Sequence, residues 1–264
     1  LDDRVDDKAA MILALREFGH EGITSKSYLL PKEMSKFVEE EANAANVKVA
    51  FDIIFNSQST DALIYISSNT GTSWTGVTAT ASKNWSSIAV SANGQYQLIG
   101  SGSESSNLIM LSNNYGSSFI VVLQDLVPIY NKGSFNKTCM SSSGQYIITF
   151  GIYKTGADSF LDVHYSTNYG VSFTKVSNVF TQVGSDLYVY GTCMSADGSI
   201  IYMAMFQKIY KSTDYGASWT LNTTNTNITI NGFMKISSDG QYVVYTAGTK
   251  MLVSSNFGAS WTLD

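Results

Sequence analysis

Residues 47–264 predict an all-β fold, and two repeated turns carry that prediction. The first turn reads Ser-x-Asn/Asp-x-Gly-x-Ser-Trp/Phe and occurs five times, at Ser67–Trp74, Ser112–Phe119, Ser166–Phe173, Ser212–Trp219 and Ser254–Trp261. Its glycines, Gly71, Gly116, Gly170, Gly216 and Gly258, lie 45, 54, 46 and 42 residues apart. A second turn alternates with it in constant order, at Ser91–Tyr96, Ser141–Tyr146, Ser195–Ile200 and Ser237–Tyr242. Short apolar runs separate the turns, among them Ser87–Val90, Gln97–Ile99, Leu108–Leu111 and Ile120–Leu123. Four short strands in each repeat of about 40–50 residues is the pattern of a β-propeller blade.

The repeats do not begin at the N-terminus. Residues 1–46 hold 10 of the 21 acidic and 6 of the 16 basic residues, including both arginines, Arg4 and Arg16. The later 218 residues hold 11 acids and 10 lysines. That shift sets a boundary between a 1–46 segment and a 47–264 repeat domain. In the first segment Val5, Ala9, Ile12 and Leu15 recur at spacings of four and three, an amphipathic helix ending near Gly19. A second helix is expected from Pro31 to about Ala45, with Met34, Phe37 and Val38 on its apolar side. Asp2, Asp3, Asp6 and Asp7 suit the positive end of the first helix, so they read as capping charges rather than a cation site. The chain opens on Leu1 without a leader-like apolar stretch, so processing or a longer parent chain is expected.

Dividing the repeats gives units at 75–119, 120–173, 174–219 and 220–264, preceded by a shorter one. That first unit has strands at Phe51–Asn56 and Ala62–Ser67 and another after Trp74, but no Ser-x-x-Gly turn and no innermost strand. Five blades with an incomplete first blade is the reading.

Composition narrows function. Charged residues are 14%, against about 25% in ordinary domains, and the net charge is −5. An acidic chain is poorly suited to neutralising phosphates, so nucleic acid is not an expected partner. The longest apolar run, Ala9–Leu15, is too short for a bilayer-spanning helix. With two His and two Cys, no zinc spacing, phosphate loop or nucleophile elbow is present. No metal and no cofactor is expected.

Within the first turn, the Asn or Asp side chain should accept backbone N–H groups while Gly takes a left-handed conformation and the closing aromatic is buried. Asn69, Asn114, Asn168 and Asn256 hold the amide position and Asp214 the acid; Trp74, Phe119, Phe173, Trp219 and Trp261 close the turns. These residues read as structural. The residue before each glycine is Thr70, Tyr115, Tyr169, Tyr215 or Phe257. Equivalent turns would set Tyr115, Tyr169, Tyr215 and Phe257 around one rim, a candidate surface for sugars or proteins. The competing reading packs each ring down on its own turn.

Three further features bear on function. Asp162 and His164 share one face of a strand, as an acid–base pair, a metal pair or a local hydrogen bond. Cys139 and Cys193 fall in one register of neighbouring innermost strands, and free buried thiols are expected there because such strands diverge. Four glycosylation sequons, at Asn84, Asn136, Asn222 and Asn227, are what an Asn-, Ser- and Thr-rich chain produces by chance.

The first turn resembles the Asp-box, or BNR repeat, of sialidase-like propellers, and the resemblance covers residues 47–264. The box together with Trp85–Tyr96 also looks like repeat proteins of large DNA viruses and phages. A sialidase would need an arginine triad, and residues 47–264 contain no arginine. Other propeller glycosidases need two paired carboxylates; Glu104, Asp125 and Asp186 show no pairing. The expectation is a non-enzymatic interaction module. The viral resemblance implies a virion-associated or host-attachment component, at the virion or an extracellular surface, docked to other proteins through residues 1–46. A glycan-binding, lectin-like propeller is the alternative, and a glycosidase-like enzyme the third.

Overall fold

The structure is a computed structural model that describes residues 50–51, 64–67, 72–73, 75–77, 85–101, 108–124, 134–182, 187–205, 207–224, 232–247 and 250–263. The two helices expected within 1–46 lie outside the described residues, as do Asn69, Thr70, Gly71 and Trp74 of the first box. Among the described residues no helix is long and apolar enough to cross a membrane.

Five antiparallel sheets stand among the described residues. The first orders β1 (Ala50–Phe51), β2 (Ile64–Ile66) and β3 (Thr75–Val77). The second orders β4 (Trp85–Val90), β5 (Gln97–Ser101), β6 (Leu108–Ser112) and β7 (Ile120–Gln124). The third orders β8 (Ser134–Met140), β9 (Ile147–Thr155), β10 (Asp158–Ser166) and β11 (Thr174–Gln182). The fourth runs β12 (Gly191–Met194), β13 (Ile201–Met205), β14 (Lys208–Ser212) and β15 (Thr220–Thr224). The fifth runs β16 (Met234–Ile236), β17 (Val243–Ala247), β18 (Lys250–Ser254) and β19 (Thr262–Leu263). Each sheet is a meander in sequence order, and in the four four-stranded sheets the Ser-x-x-Gly turn joins the first two strands and the box joins the last two.

Sheet boundaries fall later than the sequence division placed them. The strand after each box aromatic pairs back onto the strand before the box, as in Leu111↔Ile120, Tyr165↔Thr174 and Lys211↔Thr220. Residues 120–124, 174–182 and 220–224 are therefore outer strands of the preceding sheet. A tight turn returns the chain antiparallel to itself, and only the loop after the outer strand carries it inward to the next sheet.

Alternation of side chains gives each inner strand two buried faces. Leu98 packs forward with Ile147 of the third sheet, whereas its neighbour Ile99 packs backward with Ile64 of the first. Ile148 and Phe150 face forward against Met203 of the fourth sheet, and Tyr202 and Ala204 face forward against Val243 and Tyr245 of the fifth. This explains why strands such as β5 and β13 read as apolar runs: Ile201–Met205 is buried throughout. Each fully buried aliphatic side chain contributes about 1.5–3 kcal/mol relative to an exposed one.

The third sheet is the exception in length. Its β9–β10 hairpin has nine residues per strand, turns at Gly156 with φ +64°, and carries Tyr153 stacked on Phe160 at 5.1 Å. That hairpin accounts for the 54-residue spacing.

Gly216 shows why the box demands glycine. Its φ is +97°, and a Cβ there would lie 2.6 Å from Ile148 Cδ1 of the third sheet. Gly216→Val is expected to destabilise the fold by about 2–4 kcal/mol, from backbone strain and overpacking together. An unfolding midpoint in urea indistinguishable from that of the parent chain would show that the box does not form in this way.

Candidate functional site

Four boxes are described, and they share one hydrogen-bond pattern. A serine buried at the end of the third strand starts each. Ser112 Oγ accepts the Gly116 N–H at 2.9 Å and donates to Asn114 Oδ1 at 2.9 Å. Asn114 Oδ1 also accepts the Ser118 N–H at 3.0 Å, and Asn114 Nδ2 donates to Ser118 Oγ. Ser166, Asn168, Gly170 and Ser172 repeat this set, as do Ser254, Asn256, Gly258 and Ser260. In the fourth sheet Asp214 takes the amide's place. Its Oδ1 accepts from Ser212 Oγ and the Ser218 N–H, and its Oδ2 accepts from Ser218 Oγ, so only the last bond reverses direction.

The aromatics that close the boxes differ in burial. Phe119 is buried, while Phe173, Trp219 and Trp261 are partly so. Trp219 Nε1 donates to Gly216 O and Trp261 Nε1 to Asn222 Oδ1. Asn222 also donates to Gly258 O, so this sequon amide is committed to holding the last box.

The candidate rim residues have unusual backbone. Tyr115, Tyr169, Tyr215 and Phe257 have φ of 61°, 61°, 60° and 57°, each followed by a positive-φ glycine. Two consecutive left-handed residues make a primed-type turn, which for a non-glycine costs about 1–2 kcal/mol. Contacts offset that cost. Tyr115, Tyr169 and Phe257 donate their N–H groups to the carbonyls of Gln95, Gln145 and Gln241, tying each box tip to the inner turn of its own sheet.

The rings reach across to the neighbouring sheet. Tyr169 of the third sheet lies 5.1 Å from Tyr96 of the second, and Tyr215 of the fourth stacks on Tyr146 of the third at 4.3 Å. Neither sequence reading anticipated this: these two rings rest on the preceding sheet's inner-turn tyrosine rather than on their own turn. Tyr115, Tyr169 and Phe257 remain accessible, at 42%, 39% and 44% exposure.

Asp162 and His164 are both buried on one face of β10. Asp162 Oδ2 pairs with Lys175 Nζ of β11 at 2.7 Å, a partner that sequence reasoning missed because Lys175 follows the box by only two residues in a strand then assigned to the next unit. Leu161, Val163 and Tyr165 pack toward the fourth sheet, so Asp162 and His164 lie on the opposite face of β10. Glu104, Asp125 and Asp186 lie outside the described residues. No group of three or more metal-ligating side chains stands among the described residues.

Both cysteines are buried and free. Cys139 points into the core between the third and fourth sheets and Cys193 into that between the fourth and fifth, so one register places them in successive interfaces. Burial pushes the Cys139 thiol up to about 11, and raises Cys193 well above its ordinary value. Native protein at pH 8 is expected to resist an aromatic disulfide reagent and to titrate two thiols after denaturation without reductant. Zero thiols would mean a bridge, and a strand placement different from this one.

Carboxylates at the turns share an electrostatic character. Hydrogen bonds from the Ser195 and Ser237 hydroxyls hold Asp197 and Asp239 below the usual carboxylate range. Burial works to raise Asp214, but bonds from Ser218 and Ser212 outweigh it and its carboxyl is also lowered. A depressed folded-state value contributes stability that is present above about pH 4 and lost as pH falls through the folded value. Asp214→Asn, which copies the other boxes, is expected to leave stability at pH 7 within about 1 kcal/mol. It should also reduce the loss of stability on acidification. An acid limb identical to that of the parent chain would contradict this.

No protein-family profile and no curated protein matches the chain. Solved structures do. TolB from Acinetobacter baumannii superposes with a TM-score of 0.52 at 13% identity, over 82% of this chain and 51% of TolB. A prolyl endopeptidase structure gives 0.50 at 12% identity, over 78% of this chain and 32% of the endopeptidase. YCF48 bound to D1 peptide matches 78% of this chain and 75% of its own at 10% identity, with a TM-score of 0.43 that adds no argument. These are β-propeller proteins, and the chain has the β-propeller fold. At such identities the likeness establishes the fold alone, over half of TolB and a third of the endopeptidase.

Proposed function

We propose that this chain is a non-enzymatic propeller that works as an interaction module, with the box-tip aromatics as its contact surface. The single observation that carries this reading is the set of box-tip rings held in left-handed turns, three of which, Tyr115, Tyr169 and Phe257, are exposed and each fixed by a backbone bond. Rigid aromatic area binds at low entropic cost, which is why such rings dominate protein interfaces. The propeller fold is consistent with protein partners.

The setting we propose is a virion-associated structural or host-attachment component, at the virion or an extracellular surface. The resemblance of the paired turns to propellers of large DNA viruses and phages supports that setting. Residues 1–46 are proposed to dock the module to a larger assembly, since Val5, Ile12, Leu15, Met34, Phe37 and Val38 are more apolar than a solvated arm requires. Absence of catalysis rests on the lack of arginine in residues 47–264.

The deciding experiment is co-purification with density-banded particles of the source, using residues 1–264 and the truncation 47–264. The full chain is expected in the particle band, and the truncation is expected to fold but stay out of it. Equal recovery of both would refute the docking role, and absence of both would refute the virion setting. A glycan array separates the lectin-like alternative: saturable sugar binding, lost when Tyr115, Tyr169 and Phe257 are replaced by Gly, would favour it. Those replacements relieve left-handed strain of about 1–2 kcal/mol each while giving up about 0.5–1.5 kcal/mol of ring contact, so the fold should survive.

A further inference from the structure

The inner turns of successive sheets are joined by a one-directional chain of backbone bonds. Ala92 N–H donates to Ser142 O at 2.9 Å, Ser142 N–H to Ala196 O at 2.8 Å, and Ala196 N–H to Ser238 O at 2.8 Å. Each link sets a glycine of one sheet against an inner-turn side chain of the sheet before it. A Cβ on Gly144 would meet Tyr96 at 2.5 Å, one on Gly198 would meet Tyr146 at 2.7 Å, and one on Gly240 would meet Ile200 at 2.7 Å. Box-tip rings then meet two of these side chains, Tyr169 at Tyr96 and Tyr215 at Tyr146.

Of the described tyrosine pairs, Tyr146 and Tyr215 are the closest and the most nearly parallel. Their ring centroids lie 4.3 Å apart, with planes 18° from parallel. Tyr96 and Tyr169 stand at 5.1 Å and 31°, and Tyr188 and Tyr190 at 6.0 Å and 34°. The Tyr146 hydroxyl donates a hydrogen bond to that of Tyr215, which lifts the Tyr146 phenol above its ordinary value. Stacked rings whose hydroxyls are bonded to each other lie head to head, so the carbons beside the two hydroxyls also face each other. Between the fourth and fifth sheets the same places hold Ile200 and Phe257, which carry no phenol. There Phe257 O accepts from the Tyr202 hydroxyl and the Lys211 ammonium instead.

Backbone geometry fixes both members of the pair. Tyr215 sits at φ 60° before Gly216 at φ +97°, and Gly198 is seated against Tyr146. Both side chains are nonetheless partly exposed, so small oxidants and electron acceptors can reach them. Holding two reacting groups in contact replaces a bimolecular encounter with an intramolecular step, and this favours coupling between these rings over coupling between molecules.

We infer that Tyr146 and Tyr215 form a modification site, at which hydrogen peroxide and a haem peroxidase join the two side chains as dityrosine. Each ring gives up one electron and its phenolic proton, leaving two phenoxyl radicals. The radicals couple through the carbons beside their hydroxyls, and one C–C bond forms. Each of those carbons then loses its proton while each oxygen regains one, which restores two phenols. In all, the chain loses two electrons and two protons, and the peroxide that takes them up leaves as two waters. The link closes the chain between residues 146 and 215 and ties the inner turn of the third sheet to the box of the fourth. Such a link restricts the unfolded chain and so stabilises the fold. The inference does not rest on what the rim binds.

The test treats residues 1–264 at low concentration with hydrogen peroxide and a purified haem peroxidase, then isolates the monomer by size exclusion. Dityrosine fluorescence is expected in that fraction. Tandem mass spectrometry of a digest should show one dominant cross-linked species, the Tyr146 and Tyr215 peptides joined at their summed mass less two hydrogens. Tyr146→Phe and Tyr215→Phe each keep the ring and remove one hydroxyl, and each should eliminate that species and most of the monomer's fluorescence. Tyr242→Phe, at a side chain 46% exposed, should leave both unchanged. The cross-linked monomer should also unfold at a higher urea concentration than the untreated chain. Absence of dityrosine from the monomer would overturn the inference, as would links formed chiefly among exposed tyrosines such as Tyr115, Tyr188 and Tyr242. Fluorescence that persists in both Phe variants would overturn it too. So would an unchanged or lower urea midpoint, because it would show that the rings had left their stacked arrangement to react.

Discussion

A buried serine hydroxyl organises each repeat. Ser112, Ser166, Ser212 and Ser254 are exposed by 2% or less, at the point where the third strand stops. Each accepts the glycine N–H and donates to the Asn or Asp two residues on, so a hydroxyl that would be costly to bury alone is satisfied twice. The same bonds fix the turn that sends the outer strand back against its own sheet. Without that return the outer strand would have no partner, and the loop would deliver the chain to the next sheet at the wrong edge. Sheet, boundary and box tip thus all follow from one short pair of hydrogen bonds.

The sheets are then joined by two different kinds of contact. Apolar faces supply most of the burial, but their chemistry changes from one interface to the next. Between the third and fourth sheets Phe150, Met203 and Met205 fill the core, whereas between the second and third it is formed by Leu98, Ile109, Leu111 and Ile147. Backbone links between inner turns stay constant while the side chains vary. Constant main-chain geometry explains how sheets of different length and polarity stack in one array, including a third sheet with nine-residue strands.

Much of this was legible in the sequence because turns leave strong local signatures. Ser-x-x-Gly and the box each combine a hydroxyl, a side-chain acceptor and a glycine at fixed offsets, and the strands between them are short apolar runs. What escaped was what depends on neighbouring repeats. That Tyr169 would rest on Tyr96, or that Asp162 would pair with Lys175, follows from which strands become adjacent, and pairing across a box was assigned one unit too late. The left-handed backbone at Tyr115, Tyr169, Tyr215 and Phe257 also gave no warning, since bulky residues rarely adopt it. A Tyr or Phe before glycine is a turn signal only once the bonds holding that turn are known.

The equivalence of Asn114 and Asp214 within the box has a consequence for surface charge. Both side chains accept the same serine hydroxyl and backbone N–H, and the swap is absorbed by rotation of one exposed hydroxyl, at Ser118 or Ser218. Each box can therefore gain or lose a unit of negative charge while its shape stays the same. A chain built of such repeats can drift in net charge without repacking, and the field it presents to an approaching partner becomes adjustable independently of the surface that partner touches.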